Sequence, residues 1–239
     1  MTDEITSRLN ARKPTPERPL LGLTVLVVED SRFACEAIRL LCLRSGARIR
    51  RADCLASAHR HLAVYRPSAV IVDMGLPDGS GAELIRELAT SDQRVPVLLG
   101  TSGGSEAETE ALAAGADGFL VKPISSLASF QQAVLAHLPP EECPRGPRVL
   151  SADRVDPDPI ALKDDLSQIA SVIAQPLDSE QIQYVAQFIA SVANSAGDSD
   201  LAHAATAPKS AVRDRRPPRI ALGQISALVG TRLTGTGPI

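Results

Sequence analysis

The sequence predicts an α/β protein, a doubly wound five-stranded parallel sheet followed by a small all-α C-terminal domain. Three observations carry this. Five short apolar runs alternate with five stretches of helical period between residues 22 and 138. The central runs are apolar on both faces, as strands covered by helices on each side must be. From residue 160 onward the amphipathic stretches have helical period.

Residues 1–20 are polar and carry three prolines, which predicts a disordered leader. The strand-like runs are "LTVLVV" (23–28), "ARIRR" (47–51), "SAVIVD" (68–73), "VPVLLG" (95–100) and "GFLV" (118–121). The arginines of the second mark it as an edge. A first helix is expected over 32–44, with Ser31 as N-cap and Gly46 as stop; it puts Phe33, Cys35, Ala37, Leu40, Leu41 and Cys42 on an apolar side. Further helices are expected near 54–65, 79–91, 104–115 and 125–138. The sheet domain then covers 21–139 and a proline-rich linker 140–159. A helical domain covers 160–239, with helices near 160–175, 179–195, 198–207 and 220–233. The basic stretch Lys209, Arg213, Arg215, Arg216 and Arg219 is broken by Pro208, Pro217 and Pro218 and reads as a solvated linker.

Composition narrows the function classes. Among 239 residues aromatics are 3% with no Trp, so the cores must be built from Ala, Val, Leu and Ile. A net charge of -3 gives no bulk attraction to DNA or membrane. Four cysteines without framework spacing suit buried or idle thiols in a reducing compartment. With no apolar leader segment and no run of membrane-spanning length, a cytoplasmic protein is expected.

The chemistry gathers at strand ends. In "VIVDMGLPDGSG" (70–81) a buried strand ends on Asp73, an acid that is costly there unless compensated. The first strand ends "VVED", bringing Glu29 and Asp30 to the same rim if first and third strands are neighbours about 5 Å apart. Three carboxylates need a cation, and oxygen-only ligands with room for water suit Mg²⁺. The fourth strand ends "LLGTS" and the fifth "LVKP", adding the Thr101 hydroxyl and the Lys122 ammonium. An aspartate among a metal, a hydroxyl and a lysine is equipped to attack phosphorus. Taken singly, Glu29 and Asp30 suit a helix start and Asp73 a turn cap; their joint placement with Lys122 favours the site. The glycines of "GLPDGSGAEL" and "GTSGGSE" lack nucleotide-loop order, and His59, His61, His137 and His203 lack metal spacing.

On these residues, with the "LP" after Asp73 and Gly81, residues 22–138 resemble the receiver domain of two-component response regulators, a CheY-like fold of strand order 2-1-3-4-5. The resemblance implies that Asp73 is phosphorylated. It implies that Glu29, Asp30, the Asp73 carboxylate and the Gly75 carbonyl hold Mg²⁺, that Thr101 and Lys122 contact the phosphoryl group, and that Phe119 is an aromatic switch. Ser102, often alanine in the family, and Gly100, which frees the strand end, depart from its pattern. The function implied is a phosphorylation-dependent signalling switch, not an enzyme, in a two-component or phosphorelay system. Its donor would be a histidine kinase or a histidine phosphotransfer (Hpt) protein, and its output a downstream protein target. The alternative, an Mg²⁺-dependent phosphohydrolase similar to haloacid dehalogenases, needs a D-x-D pattern after the first strand, where this chain has "EDS".

No basic recognition helix stands in 160–205, so contact with protein rather than nucleic acid is expected. Residues 184–205 resemble the core of an Hpt domain with Gln187 in the phosphohistidine position, which implies a degenerate relative used for docking or homodimer formation; His203 falls too near the end of a short helix to serve as a relay histidine. The plainer reading is a helical bundle that pairs with itself or a partner through an apolar face.

Overall fold

The structure, a computed structural model, describes residues 13–146, 150–208 and 219–235. Strands β1 (Thr24–Val28), β2 (Arg48–Ala52), β3 (Ala69–Asp73), β4 (Val97–Ser102) and β5 (Gly118–Val121) form one parallel sheet. Its order is β2-β1-β3-β4-β5, as expected. The connecting helices are α1 (Arg32–Ser45), α2 (Leu55–Leu62), α3 (Gly81–Thr90), α4 (Ser105–Ala114) and α5 (Leu127–Leu135).

Strand β3 is buried at every position because its alternating side chains feed two cores. Ala69 and Ile71 join α1 and α5 on one face, and Val70 and Val72 join α2, α3 and α4 on the other. Edge strand β2 instead exposes Arg48, Arg50 and Arg51, whose charges blunt edge pairing. The order reverses between β1 and β3, the place where an open parallel sheet collects functional groups beyond its carboxyl ends.

Caps set the helix ends. Ser31 Oγ accepts from the Ala34 amide at 3.0 Å, and Gly46 closes α1 in the left-handed region at φ 88°. Asp78, from the loop after β3, accepts the Leu55 and Ala56 amides at 2.8 and 2.9 Å and so caps α2 from a distance. Helix α2 stops at Leu62 rather than running to 65, ahead of Pro67, which disfavours helix at the residue before it. Helix α3 starts at Gly81 rather than 79, since Gly79 and Ser80 pair with Leu76 and Gly75 in a short antiparallel ladder.

Two segments flanking the sheet carry apolar anchors. Within the expected leader, Thr15 and Arg18 exchange backbone hydrogen bonds, the Leu20 amide bonds the Ser45 carbonyl at 2.9 Å, and Leu20 is fully buried in the core shared with α1. Within the expected linker, the Val155 amide bonds Ser125 at 2.8 Å and Val155 is buried in the same core. Apolar anchors offset the entropy of ordering these proline-rich segments. Lys209, Arg213, Arg215 and Arg216 lie outside the described residues, as do residues 1–12.

The C-terminal region is helical: α6 (Pro159–Ile173), α7 (Ser179–Ala196), α8 (Ser199–Ala204) and α9 (Arg219–Leu233). A capping box of Asp178 and Gln181 starts α7, and Gly197, φ 72°, ends it. Arg232 of α9 is held to Asp198 at 2.7 Å. Leu166, Val185, Ile189, Val192, Ile225 and Val229 build the helical core, and Phe33 of α1 is part of it. The helices therefore share apolar packing with the sheet domain. Among the described residues no helix is long and apolar enough to cross a membrane.

All four cysteines are unpaired. Burial pushes the Cys35 thiol up to about 11 and the Cys42 thiol up to about 12. A thiol reagent at about pH 8 is expected to label the half-buried Cys54 and Cys143 while sparing Cys35 and Cys42, as peptide mass mapping would show. Prompt labelling of Cys42 in native protein would contradict the packing of α1.

Candidate phosphoacceptor site

Four strand ends converge. Beyond β1 the chain delivers Glu29 and Asp30, β3 ends on Asp73, Asp73 lies in register with Thr101 of β4, and Lys122 follows β5. Asp73 is 2% exposed, and Glu29, Thr101 and Lys122 are buried with it. The Lys122 ammonium donates to Asp73 Oδ2 at 2.7 Å, Glu29 Oε2 at 2.6 Å and Ser191 Oγ of α7 at 2.6 Å. Those bonds use all three of its hydrogens. The Lys122–Pro123 peptide is cis.

Beside this ion pair one oxygen has no partner. Asp30 Oδ2 accepts from the Tyr184 hydroxyl at 2.8 Å, whereas Asp30 Oδ1 is buried without a hydrogen bond. One carboxylate oxygen from each of Glu29, Asp30 and Asp73 lies within 4.8 Å of the others. Three carboxylates against one ammonium leave the cluster short of positive charge. Burial first and Asp73 second hold Glu29 well above the usual carboxylate range, and the same two causes push Asp30 up to about 6. Burial opposes the Lys122 charge, but Asp73 and Glu29 overcome it and raise its pKa. Burial and then Asp30 raise Tyr184 above the usual phenol range. An unpartnered carboxylate oxygen, an oxygen-only donor set and a deficit of positive charge fit a small divalent cation such as Mg²⁺.

The structure thus brings together Glu29, Asp30, Asp73 and Lys122. The remaining predicted residues border them. The Thr101 hydroxyl is turned from Asp73 and donates to the Leu120 carbonyl at 2.8 Å. The Gly75 amide donates to Asp73 Oδ1 at 3.3 Å, and Gln187 of α7 packs so close above Gly75 that a side chain there would collide. Phe119 is half-buried, its ring against Gly100; a Cβ at 100 would lie 2.7 Å from Ala111 Cβ and 3.0 Å from Phe119 Cδ2. Gly100 is therefore required by packing, a different reason from the strand-end freedom expected of it. Ser102 Oγ makes a local bond to the Gly104 amide at 3.4 Å.

Sequence reasoning missed Ser191 and Tyr184. Ser191 Oγ also lies 3.3 Å from Asp73 Oδ2, so the α7 residue that reaches Asp73 itself is Ser191, one turn beyond Gln187. A signal was present: Tyr184, Gln187, Ser191 and Asn194 form a polar stripe of helical spacing along α7.

Fold and site together set three carboxylates and one buried ammonium at the carboxyl ends of a parallel sheet. The family model that matches describes the response regulator receiver domain and covers residues 25–134. By this match residues 25–134 are a receiver domain, and receiver domains are phosphoacceptor switches. The chain is 34% identical over 116 residues to the virulence transcriptional regulatory protein PhoP of Salmonella typhimurium, covering 47% of this chain and 52% of that one. It is 33% identical over 116 residues, with the same coverage, to the transcriptional regulatory protein PhoP of Escherichia coli. The chain thus spans about half the length of these curated relatives. Among solved structures it is similar to a response regulator of Chloroflexus aurantiacus (27% identity, TM-score 0.44, 48% of this chain and 98% of that one). It is also similar to the receiver domain of a sensor histidine kinase of Pseudomonas aeruginosa, solved with a magnesium ion in its active site cleft (25% identity, TM-score 0.45, 48% and 97%).

Proposed function

We propose that Asp73 is the phosphoacceptor of a two-component or phosphorelay switch whose donor is a histidine kinase or an Hpt protein. The observation that carries this is the Lys122 ammonium, bound at once to Asp73 and Glu29 beside the unpartnered Asp30 oxygen. An Asp73 carboxylate oxygen attacks phosphorus, the P–O bond forms, and the donor's P–N bond breaks with its electron pair leaving on the imidazole. Lys122 counters charge on the equatorial oxygens. Thr101 releases the Leu120 carbonyl and donates to the phosphoryl group, and the freed space lets the Phe119 ring move. Glu29, Asp30, the Asp73 carboxylate and the Gly75 carbonyl would hold Mg²⁺, which when bound supplies further positive charge to the transferring group.

The chain divides on this reading into a receiver of residues 21–139, a connector of 140–159 and a helical output of 160–239. Output by protein contact is supported by charge: between residues 159 and 208 the sole lysine or arginine is Lys163. Four unpaired cysteines support a reducing, cytoplasmic setting. The phosphohydrolase reading finds no support in an acid as enclosed as Asp73.

The test is incubation with a small phosphodonor and Mg²⁺, followed by intact mass. One phosphoryl group per chain is expected, lost on Asp73→Asn. A group that persists in the variant would move the acceptor elsewhere, and release of many phosphates per chain would favour the hydrolase. Retarded migration of duplex DNA by phosphorylated protein would overturn output by protein contact.

A further inference from the structure

We propose that α7 is a built-in competitor of the phosphodonor: its polar stripe and a donor occupy the same rim of the sheet in alternation. The helical unit must lift before Asp73 takes a phosphoryl group, and it cannot settle back while the group remains. This rests on Asp73 being the acceptor.

The exclusion is geometric. Ser191 Oγ stands 2.6 Å from Lys122 Nζ and 3.3 Å from Asp73 Oδ2, the position a phosphoryl oxygen would take between acceptor and ammonium. A phosphorus bonded to Asp73 and the oxygens it carries need the volume that this hydroxyl and its helix fill. The donor's leaving group must approach roughly in line with the Asp73 oxygen, and α7 closes that path as well.

The closure is built into both partners. Tyr184 bonds Asp30, Gln187 packs over Gly75, and Asn194 packs over Gly103. At the same rim Asp165 of α6 accepts from Ser31 Oγ at 2.8 Å and from the Arg32 and Phe33 amides, both at 3.0 Å. Its carboxylate thereby satisfies orphan donors at the positive end of α1. Phe33 completes the helical core from the receiver side. By linkage, whatever factor closure removes from phosphorylation, phosphorylation removes from closure.

A reversible lock tests this. An ideal Cβ on Gly103 lies 2.8 Å from Asn194 Cβ, so Gly103→Cys with Asn194→Cys needs only a small separation to reach disulfide geometry. Loading of Asp73 from a small acyl phosphate with Mg²⁺ is followed by intact mass. The oxidised double variant is expected to load at least about tenfold more slowly than the same protein after reduction. Asp165→Ala, which unpins α6 from α1, is expected to load about fivefold faster than the parent chain. Equal rates for oxidised and reduced protein would overturn the alternation while leaving Asp73 as acceptor. Failure of the two thiols to join under oxidant would contradict the closed packing. If neither the parent nor Asp165→Ala loads, or if Asp73→Asn still does, the acceptor assignment itself is lost.

Discussion

Lys122→Met is expected to be the most damaging single change, lowering stability by about 3–5 kcal/mol, because it deletes one partner of a buried charge pair and leaves the other uncompensated. The Lys122 side chain is 1% exposed and is bonded to both Glu29 and Asp73. Methionine fills similar volume, so the loss isolates charge from packing. With the ammonium gone, Glu29, Asp30 and Asp73 face one another with no cation inside the protein. Divalent cation is then expected to recover part of the loss by mass action, so the urea midpoint of the variant should depend more steeply on Mg²⁺ than that of the parent. A variant with an unchanged midpoint in the presence of chelator would show that the amine does not compensate these acids.

Gly81→Ala is expected to be second, destabilising by about 1–3 kcal/mol as an overpacked site and slowing phosphoryl uptake at Asp73. An added Cβ at 81 would collide with the Asp73 carbonyl oxygen and lie 2.9 Å from its carbonyl carbon and 3.0 Å from Met74 Cα. These neighbours are backbone, so relief requires moving the strand end that carries the acceptor. Gly79→Ala would meet a flexible Leu55 methyl instead, but its φ of 154° already disfavours a side chain. Urea denaturation beside uptake kinetics separates the two effects of Gly81→Ala. Parent-like values for both would mean that Gly81 does not brace Asp73.

Much of the sheet domain was legible because its signals are local. Apolar runs such as "AVIVD" announce buried parallel strands, Ser31 and Gly46 mark the ends of α1, and acids placed after two strands with an amine after a third meet at one rim once the strands run parallel. The ends of α2 and α3 were less legible. Pro67 acts from outside the helix, and the Gly75–Leu76 ladder with Gly79–Ser80 forms by pairing across a turn. The anchoring of Leu20 and Val155 was hidden for a similar reason: a proline-rich segment reads as linker until a core exists to receive one of its apolar side chains.

What the sequence determined by itself is the order of elements and the chemical identity of the rim, since periodicity, caps and strand-end residues each act within a few positions. What only the tertiary structure decided is what lies on that rim. Ser191 reaches Asp73 across 118 positions and Tyr184 reaches Asp30 across 154. A polar stripe on α7 faces solvent, a partner or this chain's own acids with the same sequence, and the choice is made by how Phe33 and Asp165 seat the helices against α1. That seating is a sum of long-range contacts, none of them encoded in the local pattern of either partner.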